Sequence, residues 1–256
     1  MTTGQPVVDL NSDLGESFGA WRIGDDAAML PIVTSANIAC GFHGGDPLTI
    51  RQACAGAAAL GVAVGAQVSY RDLAGFGRRE MEVPAEELTA EVLYQIAALD
   101  GIARAEGTRV SYVKPHGALY NRAARDPVQA AALTAAIGAY DPALPLLTLP
   151  GSRAAAVASA AGLTVIAEAF ADRAYNTDGT LVPRSLPGAV LTDPARVAAR
   201  VVTMVMRRLV QSAQGPDVEV FARSVCIHSD TAGAVTLARA VRAALEQAGA
   251  RLAPFA

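Results

Sequence analysis

The rarest ionisable side chains in this sequence are the ones best suited to chemistry. Its 256 residues include one lysine, Lys114, and three histidines, His43, His116 and His228, while the other 20 basic residues are arginines. Imidazole groups move protons near neutral pH, and a preorganised ammonium group stabilises developing negative charge. Because arginine takes the place of lysine everywhere else, we expect a functional role for Lys114.

Polar residues alternate in the first apolar segment. Asp9, Asn11 and Asp13 have the same parity, so they share the face of a strand opposite Leu10. An unpaired buried polar group costs on the order of 1–3 kcal/mol, so three of them need partners or a ligand. We expect a carboxylate and carboxamide cluster for acid–base work, with an Asx-rich turn as the alternative for Asp13.

The elements that must position these side chains alternate between short apolar runs and longer amphipathic ones. Strands are predicted near residues 7–11, 35–40, 62–67, 110–114, 146–149, 164–169 and 224–228. Helices are predicted over residues 47–59, 84–106, 127–139, 152–161, 194–212 and 232–248. The strands are apolar with little alternation, which is typical of a parallel sheet buried on both faces. The sequence therefore predicts an α/β fold, with one closed or nearly closed barrel domain over residues 1–256 and a doubly wound open sheet as the alternative.

The scarce residues fall where such a fold builds its active site. His43, His116 and His228 each lie at or just after the end of a predicted strand, and Lys114 ends the fourth strand. The carboxyl ends of parallel strands meet at one mouth, so these groups should converge there although they are far apart in sequence. With Asp13, the histidines could ligate a metal ion. No compact histidine motif is present, however, and we expect no resident metal.

Two polar loops extend this expected site. The loop after the third strand carries Arg71, Arg78 and Arg79 between glycines, a pattern that favours binding of a carboxylate or phosphate. The chain after the sixth strand carries further candidates in Glu168, Arg173 and Arg184. Neither loop contains a phosphate-binding Gly-x-x-x-x-Gly-Lys-Ser/Thr motif, so any ATP site would be nonstandard or shared with another protein chain.

Composition excludes several other classes of protein. Hydrophobic residues make up 52% and charged residues 18%, which excludes intrinsic disorder. A net charge of −3 does not indicate a basic surface of the kind that binds nucleic acid or an anionic membrane. The three cysteines, an odd number, argue against a disulfide framework and for a reducing cytoplasm. We find no signal peptide in Met1–Pro6 and no apolar run long enough to span a membrane.

Several motifs together resemble one known family. They are Asp9-Leu10-Asn11-Ser12-Asp13-Leu14-Gly15-Glu16, Ser35-Ala36-Asn37-Ile38-Ala39-Cys40-Gly41-Phe42-His43, Asp72-Leu73-Ala74-Gly75-Phe76-Gly77-Arg78-Arg79, Val113-Lys114-Pro115-His116-Gly117-Ala118-Leu119-Tyr120-Asn121, Ala171-Asp172-Arg173-Ala174-Tyr175 and Leu181-Val182-Pro183-Arg184-Ser185. These blocks resemble the LamB/YcsF family, the A subunits of 5-oxoprolinases, collinearly from about residue 7 to residue 250. The chain departs from the common pattern at Ser12, Gln67, Ser229 and Ala232, where many relatives carry Cys, His, Gly and Pro.

The resemblance implies a fold, a reaction and partners. The fold would be a seven-stranded variant of the (β/α) barrel, like that of polysaccharide deacetylases. The reaction would be ATP-dependent opening of 5-oxoproline to L-glutamate, with or without Mg²⁺, together with subunits B and C. The expected catalytic residues are Asp9, Asn11, Asp13, His43, Lys114, His116 and His228. The expected substrate- or phosphate-binding residues are Gln67, Arg71, Arg78, Arg79, Glu168, Arg173, Arg184 and Asp230.

Within this set the roles follow ordinary chemistry. Lys114 would stabilise an oxyanion or a phosphoryl oxygen, and His43 and His116 would move protons. Two other functions stay open at this point. One is a metal-dependent deacetylase or amidohydrolase that acts alone, and the other is a noncatalytic subunit that binds 5-oxoproline for its partners.

Overall fold

The computed structural model of the protein describes residues 5–256. In chain order its strands are β1 (Val7–Leu14), β2 (Ser35–Ala39), β3 (Ala63–Val68), β4 (Val110–Pro115), β5 (Leu146–Thr148), β6 (Val165–Phe170), β7 (Leu209–Gln211), β8 (Asp217–Glu219), β9 (Ser224–Ile227) and β10 (Arg251–Leu252). Seven of them form a parallel sheet in the order β1-β2-β3-β4-β5-β6-β9. Pairing of β1 with β9, in the register Asn11 to Cys226, closes this sheet into a barrel. The predicted seven-stranded barrel is confirmed.

Helices surround the barrel. They are α1 (Asp26–Met29), α2 (Pro47–Leu60), α3 (Ala85–Ala105), α4 (Gly117–Ala123), α5 (Pro127–Tyr140), α6 (Arg153–Ala160), α7 (Pro194–Arg207) and α8 (Ala234–Gln247). Proline at the first turn and an aspartate N-cap begin α2, α5 and α7, where proline's missing N–H costs no hydrogen bond. The apolar faces of these helices and the outer faces of the strands make up the main hydrophobic core.

One predicted helix boundary is wrong. The helix predicted over residues 194–212 ends at Arg207, because Arg208 adopts a left-handed conformation with φ 58° and ends the hydrogen-bond ladder. The chain then forms the antiparallel hairpin of β7 and β8, with Leu209 opposite Glu219. The alternating apolar and polar residues of the hairpin were too few to separate from the helical pattern before them.

Two expectations concern the ends of the chain and membranes. Residues 1–4, part of the segment in which we find no signal peptide, lie outside the described residues. Between residues 5 and 256, none of the helices combines the length and the hydrophobicity needed to cross a bilayer.

Candidate active site at the barrel mouth

Polar side chains occupy much of the inside of the barrel, beside an apolar cluster of Tyr112, Leu147 and Ile166. At the base the buried carboxylate of Asp9 accepts hydrogen bonds from Thr34 Oγ1 (2.5 Å), Ser35 Oγ (2.6 Å) and Ser224 Oγ. Burial raises the pKa of Asp9 to about 6, against the opposing effect of these three hydroxyl donors. Asp9 therefore lies below the mouth, in a layer closed by hydroxyl groups.

Above Asp9, amide groups connect the strands. Asn11 Nδ2 donates to Ser224 Oγ at 2.6 Å and to Glu168 Oε1 at 3.2 Å. Asn37 Nδ2 donates to Asn11 Oδ1 at 2.7 Å and to Asp13 Oδ1 at 2.8 Å. Residues 9, 11 and 13 therefore do share the inward face of β1, and each has partners on neighbouring strands.

Lys114 extends from β4 into the middle of the next layer. Its Nζ lies 2.8 Å from Glu168 Oε1, 3.0 Å from Asp13 Oδ1 and 3.2 Å from Cys226 Sγ, and only 2% of the residue is exposed. Burial alone would lower the pKa of Lys114, but Asp13, Cys226 and Glu168 outweigh it and raise this pKa well above its ordinary value. The ammonium group in turn lowers the pKa of Asp13 despite burial. The cluster is therefore a fixed arrangement of charges in which the cation and the carboxylate of Asp13 stay ionised.

A second buried cluster lies beside the first. Glu16 Oε1 lies 3.3 Å from His43 Nε2, 3.6 Å from His116 Nε2 and 3.0 Å from Gln67 Nε2. The two imidazole rings are stacked, with centroids 3.9 Å apart and an angle of 15° between their planes. Burial and then the neighbouring His43 hold the pKa of His116 well below its usual range, while burial raises the pKa of Glu16. His116 is therefore a neutral base at pH 7.

The loop after β3 covers these histidines. Phe76 presents its ring to the edges of His43 and His116, with centroids 5.7 and 5.2 Å away, from a backbone with φ 54°. Gly77 follows with φ 66°, and a Cβ there would come within 2.9 Å of both His116 Nδ1 and His43 Cβ. Only glycine permits this close approach without moving the imidazoles.

The third histidine belongs to the opposite wall. His228 Nδ1 lies 2.9 Å from Asp172 Oδ1, and its ring stacks on Phe170 with centroids 5.5 Å apart. The charged partners of Asp172, His228 first among them, lower its pKa despite burial. Asp172 therefore fixes the orientation of His228, as carboxylates do for catalytic imidazoles.

These groups border one cavity of about 850 Å³. Its wall includes Asp13, Lys114, His116, His228, Glu168, Arg78, Arg173 and Arg184. Arg78 Nη2 pairs with Asp230 Oδ2 at 2.6 Å, and Arg184 Nη1 lies 3.7 Å from the same oxygen. Buried Nε of Arg173 and buried Nη2 of Arg184 have no hydrogen-bond partner among the described residues. Two unpaired guanidinium N–H groups in one wall fit a carboxylate or a phosphoryl group.

The structure places most of the predicted site residues inside the barrel or at its mouth. Asp9, Asn11, His43 and Gln67 are buried there but do not border the cavity, and Arg71 and Arg79 lie outside the site. Arg71 Nη2 pairs with Glu91 at 3.0 Å, and Arg79 Nε donates to Asp72 at 2.8 Å, so neither guanidinium borders the cavity. Three partners escaped sequence reasoning: Glu16, Asp172 and Cys226. Glu16 and Asp172 belong to the same sequence blocks as predicted residues, so their acidic type within those blocks was the available signal.

Comparisons with known proteins agree with this geometry. The profile of the LamB/YcsF family matches residues 8–256. The chain is 58% identical over 250 residues to a Streptomyces avermitilis protein named as the A subunit of 5-oxoprolinase, covering 98% of this chain and all of that one. A Paracidovorax citrulli protein of the same name is 59% identical over 249 residues, covering 97% of this chain and 99% of that one.

A solved structure shows the same fold. The lactam utilization protein from Thermus thermophilus superposes with a TM-score of 0.93 at 51% identity, covering 97% of this chain and 99% of that chain. Both the family profile and the identities span nearly the whole sequence. The chain belongs to the LamB/YcsF family.

Proposed function

We propose that this protein is the A subunit of a 5-oxoprolinase, which opens the lactam ring of 5-oxoproline to give L-glutamate with hydrolysis of ATP. Relatives at 58% and 59% identity are named as 5-oxoprolinase A subunits, and the superposed structure is named a lactam utilization protein. These names support a lactam hydrolase. ATP dependence and the use of subunits B and C in the cytoplasm are our further proposals.

One observation carries the proposal for this chain's own residues. The cavity wall contains the Lys114 ammonium and the neutral imidazole of His116, together with unpaired N–H groups of Arg173 and Arg184. The substrate has matching parts, because 5-oxoproline carries a carboxylate and a lactam carbonyl. We assign the carboxylate to the two arginines and the carbonyl to the part of the wall that holds Lys114.

Ring opening needs a stabilised oxygen and a proton acceptor. A lactam carbonyl gains negative charge as water attacks, and a fixed cation directed at that oxygen is usually the largest contribution to catalysis. Lys114 is held for this role by Asp13 and Glu168. His116, kept neutral by burial, accepts a proton from the attacking water, and His228, oriented by Asp172, is available on the facing wall.

The same cavity fits an anionic co-substrate in size and charge. Its 850 Å³ exceed what a single small lactam fills, and Arg78, beside the two arginines assigned to the carboxylate, supplies a cationic contact for phosphoryl oxygens. ATP, when bound, would supply the phosphoryl group that activates the amide oxygen. We propose that residues of the partner subunits complete its binding, because the sequence contains no phosphate-binding loop.

The direct test is release of glutamate from 5-oxoproline with ATP, measured with and without subunits B and C. We expect turnover with the partners, and a decrease of at least about 100-fold for both Lys114→Ala and His116→Ala, the low end for a general acid–base group. The exposed Arg239→Ala on α8 is the matched control and should retain wild-type turnover. Near-normal turnover of a folded Lys114→Ala/His116→Ala double variant would refute the proposed roles, and no turnover with both partners would refute the reaction.

A further inference from the structure

Glu16, His43 and His116 bring three potential donor atoms close together. One ligand atom from each of these buried side chains lies within 4.8 Å of the other two. Glu16 comes from the loop after β1, His43 from the loop after β2 and His116 from the end of β4. Because separate elements converge here, the grouping is a property of the fold and not of one local turn.

Two of the three distances among these atoms match a coordination sphere. Ligands about 2.1 Å from a tetrahedral ion lie about 3.4 Å from one another. The distances from Glu16 Oε1 to His43 Nε2 and His116 Nε2 are 3.3 and 3.6 Å. The second distance is too long for a hydrogen bond, so hydrogen bonding alone does not account for why both Nε2 atoms face one carboxylate oxygen.

This cluster also lacks a cation, unlike its neighbour. Asp13, Cys226 and His228 form a second group of convergent donors, but the ammonium of Lys114 already lies 3.0 Å from Asp13 and 3.2 Å from Cys226. Among residues 5–256, by contrast, no lysine or arginine forms an ion pair with Glu16. Of the two groups, only the one at Glu16 lacks a cationic side chain among the described residues.

The side-chain oxygen of Gln67 adds one unpaired polar atom to this cluster. Gln67 donates its Nε2 to Glu16, and its buried Oε1 has no partner among the described residues. The side-chain oxygen and nitrogen of glutamine are assigned by hydrogen bonding alone, and rotation of the amide by half a turn brings Oε1 toward the cluster. An oxygen facing the carboxylate is stable only with a cation or a proton between them.

We propose that Glu16, His43 and His116 bind one divalent transition-metal ion of the Zn²⁺ class, with Gln67 Oε1 as an auxiliary ligand. Two imidazoles and one carboxylate are a donor set that Zn²⁺ and its neighbours in the series prefer, and three protein ligands leave a coordination position open. Sequence reasoning led us to expect no metal, since the ligands are dispersed over 100 residues. An ion on His116 would occupy the imidazole nitrogen that faces Glu16, so the proton-acceptor role proposed above for His116 applies to the metal-free protein. The metal site itself does not depend on the proposed reaction.

The test measures metal binding directly, without any activity assay. The full-length protein is stripped with a chelator, dialysed and titrated with Zn²⁺ by calorimetry, and Co²⁺ is added separately to record its visible d–d absorption. We expect one ion per chain, a tetrahedral Co²⁺ spectrum and a higher Tm with Zn²⁺. No binding, or binding with the same affinity in a folded Glu16→Gln variant, would overturn the proposal.

Matched variants locate the ion. Glu16→Gln and His43→Gln should each weaken Zn²⁺ binding by at least about 100-fold, the upper end for loss of an outer-shell partner. His228→Gln, from the neighbouring group of donors, should bind as the wild type does. Loss of binding in His228→Gln with retention in Glu16→Gln would place the ion elsewhere and overturn the assignment.

If these variants unfold, a variant designed to bind the ion more tightly tests the site instead. Gln67→Glu is nearly isosteric and adds a second carboxylate beside Glu16. We expect its folding to depend on Zn²⁺, with a larger rise in Tm on metal addition than the wild type shows. A Tm of Gln67→Glu that does not respond to Zn²⁺ would count against the site. These measurements stand whether or not 5-oxoproline is the substrate.

Discussion

Two groups of buried carboxylates lie side by side at the barrel mouth, and they differ in what faces them. Asp13 and Glu168 contact the Lys114 ammonium at 3.0 and 2.8 Å, whereas Glu16 contacts two imidazoles and an amide. The first group contains its own counter-charge and is complete in the protein alone. The second gathers donor atoms around an oxygen without a fixed cation. The two groups therefore differ in their counter-charge. The Asp13 and Glu168 carboxylates have a fixed cation in Lys114, whereas Glu16 has none among the described residues and is the carboxylate at which we propose an ion binds.

The largest expected effect comes from removing the cation of the complete group. Lys114→Met leaves the carboxylates of Asp13 and Glu168 buried without a counter-charge, which costs about 3–5 kcal/mol of unfolding free energy. Denaturant titration measures the loss, and Arg239→Met on the exposed face of α8 should change stability by less than about 0.5 kcal/mol. A Lys114→Met protein as stable as the wild type would show that the two groups do not differ in the way we describe.

The next effect tests the glycine that lies against the imidazole pair. Gly77→Ala adds a Cβ within 2.9 Å of His116 and His43 at φ 66°, and we expect a loss of about 2–4 kcal/mol from backbone strain and overpacking. Gly61→Ala is matched in conformation, with φ 66° and no atom within 4 Å of the added Cβ. It should lose about 1–2 kcal/mol. If Gly77→Ala and Gly61→Ala lose the same unfolding free energy, the side chains next to Gly77 move aside at no measurable cost.

A third effect concerns a carboxylate that is paired with hydroxyl groups. The pKa of Asp9 rises from 3.8 to about 6 in the folded protein, so the folded state holds this proton more tightly than the unfolded state. Its contribution to stability is therefore full below about pH 4 and is lost as pH rises through about 6. Between pH 4 and 7 the unfolding free energy of the wild type should therefore fall by about 2–3 kcal/mol more than that of Asp9→Asn. Denaturant titration across this pH range measures the difference.

The exposed Asp217→Asn is the control for Asp9 and should leave the pH dependence unchanged. If Asp9→Asn and the wild type show parallel pH profiles, the hydroxyl donors fully offset the effect of burial and the pKa of Asp9 is not raised.

The smallest effect is expected at the incomplete group. In metal-free protein at pH 7, Glu16→Gln should change the unfolding free energy by less than about 1 kcal/mol, because no opposite charge is left without a partner and Gln can still accept hydrogen bonds. The quantity to compare is the loss of unfolding free energy in Glu16→Gln and in Lys114→Met. A loss from Glu16→Gln as large as that from Lys114→Met would mean that the imidazoles already carry the missing charge.

Sequence could locate the strands and the scarce residues at their ends. Apolar runs marked all seven barrel strands, and the position of Lys114 and His116 at the end of β4 placed both at the mouth. The parity of residues 9, 11 and 13 predicted their common face. These predictions succeeded because periodicity and strand polarity are local properties that a single sequence carries.

The pairing of these residues could not be predicted in the same way. Asp13 and Cys226 meet at Lys114 only because β1 and β9 close the barrel across more than 200 residues of chain. Whether Arg71 and Arg79 face the cavity or pair with Glu91 and Asp72 depends on the path of the loop after β3. Loop direction and barrel register are tertiary properties, and composition does not specify them.

The burial of Lys114 has a consequence for how the folded protein meets reagents. Its side chain is the molecule's only ε-amine, and 2% of the residue is exposed. Acylating labels, lysine-directed cross-linkers and enzymes that modify lysine therefore find no ε-amine on the native surface. Labelling at Lys114 therefore reports either entry of a reagent through the cavity or separation of the strands around it, and reagents too large for the cavity report only the second.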